Sequence, residues 1–415
     1  QDDDAELERD LLEIFAEPLF EEHGLVNTDV ADFVAANPQV ARAVRALGRS
    51  YRAGRQDRAE LDGEEGVLEL LGSGRLPPEE VSDLVQAHFN HFPTLEAAAE
   101  DLWDRAKLDP DDLQAGLVRF LRDELTIDVR IARMGEDPGA VRRYDPERRE
   151  LTLSEMLPPR TRNFQLAQQV GLLICEGPID DILDRSTLST VDSRQLARVA
   201  LGNYFGSAVL MPYEPFLEAA RRQRYDIELL GHRFRTSFEQ TCHRLTSLRR
   251  PGSEGLPLHM VRVDVAGNIS KKFSATGIRF ARFGAACSLW NVFQAFLTPG
   301  RFRHQMSVMP DGERYFCVAT TVPKGRGGYH AAHTMHAIGL GWNVRDLRAH
   351  AGKKGVPVVY ADGVDLGQDG NAVRIGVSCR LCDRQDCAQR AFPQLGTPLG
   401  VDPWVKGVSA FAPVP

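Results

Sequence analysis

The chain has 415 residues, of which 43% are apolar and 26% charged, and a formal net charge of −8. That length allows two or three domains of ordinary globular composition. The acidic balance excludes a self-sufficient nucleic-acid binder of the electrostatic kind, because phosphate contacts need clustered Lys and Arg. No uninterrupted apolar run reaches membrane-spanning length, and no signal-peptide pattern opens the chain. The first residue is Gln rather than Met, so an N-terminal part is expected to be missing. Seven cysteines, an odd number with four of them scattered (Cys175, Cys242, Cys287, Cys317), argue against a secreted disulfide framework and for a reducing cytoplasm.

Residues 1–125 read as helices. Asp4–Phe20 is acidic with apolar residues at helical spacing, and Val30–Tyr51 and Pro78–Trp103 continue that pattern. Asp57–Gly74 is polar and Gly-containing, and reads as a connection. The period then changes. Leu125–Ile131 alternates as a strand, and the stretch RRYDPERRELTLSEM predicts a hairpin turning at Asp145-Pro146-Glu147-Arg148. Helical character returns over Thr161–Cys175 and Ser193–Pro212. After Arg250-Pro251-Gly252, strands are predicted over Pro257–Val265, Arg314–Val322 and Pro357–Tyr360, with a helix over Asn291–Leu297. The predicted fold is mixed α/β in three regions: a helical region 1–125, a middle region 126–250 and a sensor-like α/β region 251–415. Cys175 and Cys242 fall in apolar or helical settings and read as core.

Three cysteines lie within nine residues in Cys379-x-x-Cys382-x-x-x-x-Cys387. Thiolates this close can converge on one soft metal centre. Nearby Gly and Pro let the segment bend around a ligand. No second CxxC pair exists to complete a four-thiolate zinc site. An iron–sulfur cluster with an incomplete thiolate set, a zinc site completed by His, and three bare loop thiols all remain open on the residues alone. His330, His333 and His336 lie three apart and would share a face if helical. They sit in a Gly-rich segment without a carboxylate base, which favours a loop or packing role over a metal site.

Val263–Phe296 holds a Gly267-Asn268 turn, then Lys271, Lys272, Ser274, Arg279 and Arg282, then Phe280, Phe283, Trp290, Phe293 and Phe296. Cations and hydroxyls followed by aromatics would suit a phosphate-bearing ligand with an apolar tail. The competing reading is an exposed basic turn followed by a core-packing segment. Lys107, a lone cation beyond the Trp103 helix, is a further candidate for a ligand phosphate, although a solvated lysine is its simpler reading.

Arg162–Leu173, RNFQLAQQVGLL, resembles the active helix of the ImmA/IrrE metallopeptidases. Zinc peptidase chemistry there needs two imidazoles one turn apart and a glutamate base. Gln168, Gln169 and Leu172 occupy those positions, and Leu201 occupies that of the glutamate completing the metal site. The resemblance therefore implies a retained fold without carriers for hydrolysis. A metallohydrolase or acyl-CoA-transforming enzyme would need a nucleophile–base pair or a metal triad, and neither is seen. A zinc-binding interaction module is the other rival.

Across essentially the whole chain, AGNISKKFSATG, CSLWNV, AIGLG, YADGVDL and the CRLCDRQDC-QRAFP ending resemble the actinobacterial short-chain fatty acyl transcriptional regulator family. The resemblance implies a missing N-terminal helix-turn-helix domain that contacts DNA, a degenerate ImmA/IrrE-like middle and a C-terminal sensor. It also implies a short acyl-CoA ligand and a [4Fe–4S] cluster in a cytoplasmic homo-oligomer, no membrane contact and no enzymatic activity. Cys379, Cys382 and Cys387 match the family's terminal triplet, and Cys287 matches a cysteine ahead of its Leu-Trp motif. Ser288 stands where the family has Pro, and Trp342 where it often has Cys. With no cysteine at 342, the fourth iron corner is expected to be open or held by a non-thiolate group. Ligand phosphates are expected on the Lys271–Arg282 stretch and the acyl end against Trp290 and Tyr204.

Overall fold

A computed structural model describes residues 2–15, 27–48, 76–133, 140–281, 286–324, 334–352, 355–367, 372–384, 386–394 and 403–405. Contacts divide the chain into two units, Gln1–Ser73 and Gly74–Pro415. The first holds α1 (Asp2–Phe15), α2 (Asn27–Ala36) and α3 (38–48). Leu7, Leu11 and Ile14 of α1 share a face at helical spacing and are buried with Val30, Val34 and Ala41. The break between α2 and α3 falls at Asn37, where the following Pro38 disfavours helical backbone. The expected connection over Asp57–Gly74 lies outside the described residues.

The second unit opens with α4 (Pro77–Ala87), α5 (Pro93–Arg105) and α6 (Leu113–Asp123). The pattern expected to run through Pro78–Trp103 is two helices. Phe89 and Asn90 adopt left-handed backbone (φ 50° and 51°), and Pro93 starts the second helix. β1 (Asp128–Ala132), β2 (Arg142–Asp145) and β3 (Glu150–Ser154) form a sheet in the order β1-β3-β2, with β2 and β3 as the expected hairpin. Asp145 Oδ1 accepts from the Glu147 and Arg148 amides, both at 3.0 Å, which fixes the turn. The strand expected from Leu125 begins at Asp128, because Thr126 (φ 52°) still turns the chain out of α6.

Six helices follow: α7 (Pro159–Ile174), α8 (Glu176–Asp184), α9 (Val191–Leu210), α10 (Tyr213–Arg222), α11 (Ile227–Arg233) and α12 (Phe238–Thr246). Ser237 and Gln240 close a capping box at the start of α12. Cys175 and Cys242 are fully buried, as their settings predict.

A six-stranded sheet completes the unit, in the order β5-β4-β8-β7-β6-β9. Its strands are β4 (His259–Asp264), β5 (Ile269–Ser274), β6 (Arg303–Val308), β7 (Arg314–Lys324), β8 (Thr334–Asn343) and β9 (Val373–Arg374). Asn291–Gln294 is a helical turn, α13, continued as 3₁₀ helix to Leu297, and Val344–Ala349 is α14. The strand expected over Pro357–Tyr360 is absent. Val359–Ala361 is a 3₁₀ turn held by the Val359 amide on the Arg224 carbonyl and by the Tyr360 hydroxyl accepting from the Ile227 amide. Packing against α11 overrides the strand propensity of Val358-Val359-Tyr360.

Strand alternation gives this sheet two apolar faces. Met260, Phe316, Val318, Ile338, Leu340 and Trp342 join the large core shared with the helices. Val261, Val263, Tyr315, Cys317, Ala319 and Ala337 form a second core with Ile278, Cys287, Trp290, Val292 and Ile375. The cysteine segment leaves the sheet at its β9 edge, where the Cys287 amide donates to Val377 O at 3.2 Å.

Candidate functional site

Chain segments distant in sequence meet at that edge. Cys287, Cys379, Cys382 and Cys387 line one recess, together with Ser288, Gly376, Ser378, Arg374, Arg384 and Arg390. Its empty space, solvent mouth included, is about 350 Å³. Cys287 and Cys382 are buried, while Cys379 and Cys387 are half-buried. Burial pushes the Cys287 thiol up from its ordinary range. Gly376 lies so close that a Cβ there would meet Cys382 Sγ at 3.0 Å. Among the described residues no three His, Cys, Asp or Glu side chains are near enough to hold a metal ion together. The four cysteines line the recess without forming such a group.

Arg390 ties the loop down. Its guanidinium donates to the carbonyls of Cys379 and Cys382, each at 2.8 Å, and to those of Arg384 and Phe392. The residue is only 5% exposed, so a full positive charge is built into the wall of a thiol-lined recess. Ser378 Oγ and Arg384 Nη1 are buried there without a hydrogen-bond partner. Polar atoms left so are costly unless something else meets them.

Trp342 does not border this recess. It lies fully buried in the helix-side core, stacked on Phe316 at 6.4 Å. Its place is on the opposite face of the sheet from Cys287. Cys287, rather than residue 342, is the fourth cysteine lining the recess.

The expected ligand residues are scattered. Lys271, Lys272 and Ser274 lie on β5. Lys272 pairs with Glu79 at 2.9 Å, and the Ser274 backbone pairs with the Gln86 side chain, so these two residues are engaged with α4. Lys271 contacts Glu239 at 3.4 Å and His243 at 3.2 Å. Arg279 is exposed, and Arg282 lies outside the described residues. Trp290 is buried edge-on to Phe280 at 5.6 Å, in the second core. Tyr204 belongs to the other core, so the two aromatics expected to share an acyl group are not brought together. The Tyr204 hydroxyl donates to Glu96 at 2.6 Å and accepts from the Phe92 amide, within a buried network that includes Arg244. Lys107 is exposed at the end of α5 with φ 46°. His330 and His333 lie outside the described residues. His336 is on β8, a strand, so a shared helical face does not form.

On α7, Gln168 and Gln169 are buried where the peptidase pattern has its ligand and base. Arg142 of β2 donates to Gln168 Oε1 at 3.0 Å and to Gln165 O at 3.2 Å. A guanidinium thus sits against the former ligand position, and burial lowers its pKa.

Residues 247–411 match the family described as "Short-chain fatty acyl coenzyme A regulator, C-terminal", and residues 122–246 match "IrrE N-terminal-like domain". The HTH-type transcriptional regulator PrpR of Mycobacterium tuberculosis is 39% identical over 405 residues, covering 97% of this chain and 81% of that protein. The chain belongs to the short-chain fatty acyl-coenzyme A regulator family. A second family member, the propionyl-CoA carboxylase regulator of Cereibacter sphaeroides, is 40% identical over 407 residues, 96% of this chain and 82% of its own length. A solved Mycobacterium tuberculosis transcriptional regulator superposes with a TM-score of 0.75 at 39% identity, covering 80% of this chain and 99% of the other. These family members are regulators, not catalysts, and the mixed α/β architecture is shared with the solved structure. Among the described residues no helix is long and apolar enough to cross a membrane.

The sequence reading missed two things. The joining of Cys287 to the triplet had no signal beyond its match to a family cysteine ahead of the Leu-Trp motif. The structural use of Arg390 carried no signal beyond its place in QRAFP.

Proposed function

We propose that this chain is the ligand-sensing part of a transcriptional regulator of short-chain fatty acid metabolism. It carries a [4Fe–4S] cluster on Cys287, Cys379, Cys382 and Cys387, and it responds to a short acyl-CoA. The observation that carries the cluster reading is the convergence of four thiols on one recess walled by Arg374, Arg384 and Arg390. The donor set fits. Thiolates are the ordinary ligands of such clusters, and a cluster with four thiolates bears net negative charge that the arginines offset. Ser378 Oγ and Arg384 Nη1, buried without partners, have the polarity to face cluster or cysteine sulfur. When bound, the cluster supplies a redox-active and oxygen-labile centre. The protein's own part is to fix the loop through Arg390 and to hold Cys287 on the second core.

Acyl-CoA binding is supported by the family and by two cations not paired with α4 among the described residues, Lys271 on β5 and Arg279 beyond its end. A ligand that prefers one of two conformations would shift the balance between them by no more than that preference. DNA contact through a helix-turn-helix domain, assembly into a homo-oligomer and a cytoplasmic setting complete the proposal, as does the division into regions 1–125, 126–250 and 251–415. Calorimetric titration with propionyl-CoA and acetyl-CoA tests the sensing reading. Micromolar binding by either supports it, and no heat with any short acyl-CoA refutes it.

A further inference from the structure

Where α12 meets the far end of the sheet, one carboxylate faces three cations. Glu239, on the first turn of α12, contacts Arg262 of β4, Lys271 of β5 at 3.4 Å and Lys324 of β7 at 3.7 Å. Arg262 and Glu239 are largely buried, with side-chain exposures of 12% and 18%, whereas Lys271 and Lys324 are each 43% exposed. His243, one turn along α12, lies 3.2 Å from Lys271 and is kept neutral by burial and by that neighbouring charge. Asp264, the other nearby acid, is used in the β4–β5 turn, where it accepts from the Ala266 amide and from the amide and side chain of Asn268. Among the described residues the cluster therefore holds three positive charges against one negative, in a protein whose total charge is −8.

A single carboxylate is a poor match for three converging cations. It offers one charge and two oxygens, where a phosphate offers up to two charges and three oxygens. Burial opposes the charge on Glu239, yet contact with His243, Lys271 and Arg262 holds its pKa well below the usual carboxylate range. The carboxylate is thus strongly bound and also replaceable by a better anion.

We propose that Arg262, Lys271 and Lys324 form a binding site for the phosphate of a nucleotide-type ligand, and that Glu239 is its built-in substitute, displaced when the ligand binds. This deepens the acyl-CoA reading and rests on it for the ligand class. It adds Arg262 and Lys324, which sequence reasoning did not single out, and it adds a consequence. Glu239 is the charged tie between α12 and three strands, so a phosphate that replaces it loosens α12 from the sheet. Ligand binding at the sheet would in this way reach the helical layer.

The test is calorimetry on the full chain with adenosine 3′,5′-bisphosphate, a phosphate probe without an acyl group, and with propionyl-CoA. Glu239→Gln, which removes the competing charge, should tighten bisphosphate binding about tenfold, and Lys324→Met, at an exposed position, should weaken it at least as much. Hydrogen exchange of the amides of residues 238–246 should rise when the probe is added to the wild type. Unchanged or weaker binding in Glu239→Gln overturns the site, as does a wild type that does not bind the bisphosphate. Propionyl-CoA binding that neither variant alters also overturns the site while leaving the sensing reading standing. Bisphosphate binding with the expected variant pattern but no acyl-CoA binding keeps the site and removes that reading.

Discussion

Replacing Glu96 by Gln isolates the cost of a buried charge. Arg244 is fully buried (0% side-chain exposure) and Glu96 nearly so (2%), and the guanidinium meets both carboxylate oxygens, at 2.5 and 3.0 Å. Without the carboxylate charge, Arg244 keeps only neutral acceptors, Met211 O at 2.8 Å and Ser247 Oγ at 3.1 Å. A buried charge stripped of its partner costs about 3–5 kcal/mol. That is a loss of roughly a hundredfold or more in the folded-to-unfolded ratio. Glu96→Leu combined with Arg244→Met removes both charges and should recover most of the loss. Urea unfolding followed by far-UV circular dichroism is the assay. Burial alone would raise the Glu96 pKa, but the charge and hydrogen bonds of Arg244 outweigh it and depress the pKa below 4.5. The pair's contribution is therefore present above pH 4.5 and lost as pH falls further. A loss below about 1 kcal/mol in Glu96→Gln, or a double variant no more stable than the single, would refute the reasoning.

Other consequences are as specific. A Cβ at Gly341 would lie 2.3 Å from His259 Nε2 and 2.9 Å from Cys317 Sγ, so Gly341→Ala should cost about 1–3 kcal/mol through overpacking; an unchanged melting temperature would show that the pair yields. Burial pushes His259 down to about 3 and His243 to about 4, so each binds its proton more weakly folded than unfolded. Stability should be full above pH 6.5 and fall towards pH 4 by up to about 1.4 kcal/mol per pH unit for each ring. His259→Gln should flatten that decline, and a slope unaffected by the substitution would contradict it. Arg390→Met removes the staple beneath Cys379 and Cys382 and should lower iron retention during anaerobic purification well below that of the wild type; equal iron content would remove Arg390 from the account.

The helix period was readable where one face is buried and the other wet, as in α1, and the β2–β3 hairpin was readable from its turn residues at Asp145–Arg148. The strand period was unreadable in β8, whose run from Ala337 to Asn343 is buried and carries Gly339 and Gly341. A strand without polar alternation gives no period-two signal. Pro357–Tyr360 failed for the converse reason, because β-branched composition was overruled by contact with α11. The cysteine triplet was legible because its spacing is local. Cys287 was not tied to it, because the link runs through the pairing of β9 beside β6, a contact between residues far apart in sequence. Lys272, Ser274 and Tyr204 read as ligand groups because their chemistry suits phosphate or acyl contact. Their partners, Glu79, Gln86 and Glu96, come from the preceding helices, and no local pattern announces them.

The central claim is that Cys287 completes a four-thiolate set with Cys379, Cys382 and Cys387. Iron, acid-labile sulfide and zinc should be counted per chain after anaerobic purification, for the wild type and for Cys287→Ser. The account predicts iron and sulfide in equal amounts at [4Fe–4S] stoichiometry in the wild type, and marked loss of both in the variant. Zinc without sulfide in the wild type, or full cluster content in Cys287→Ser, would contradict it.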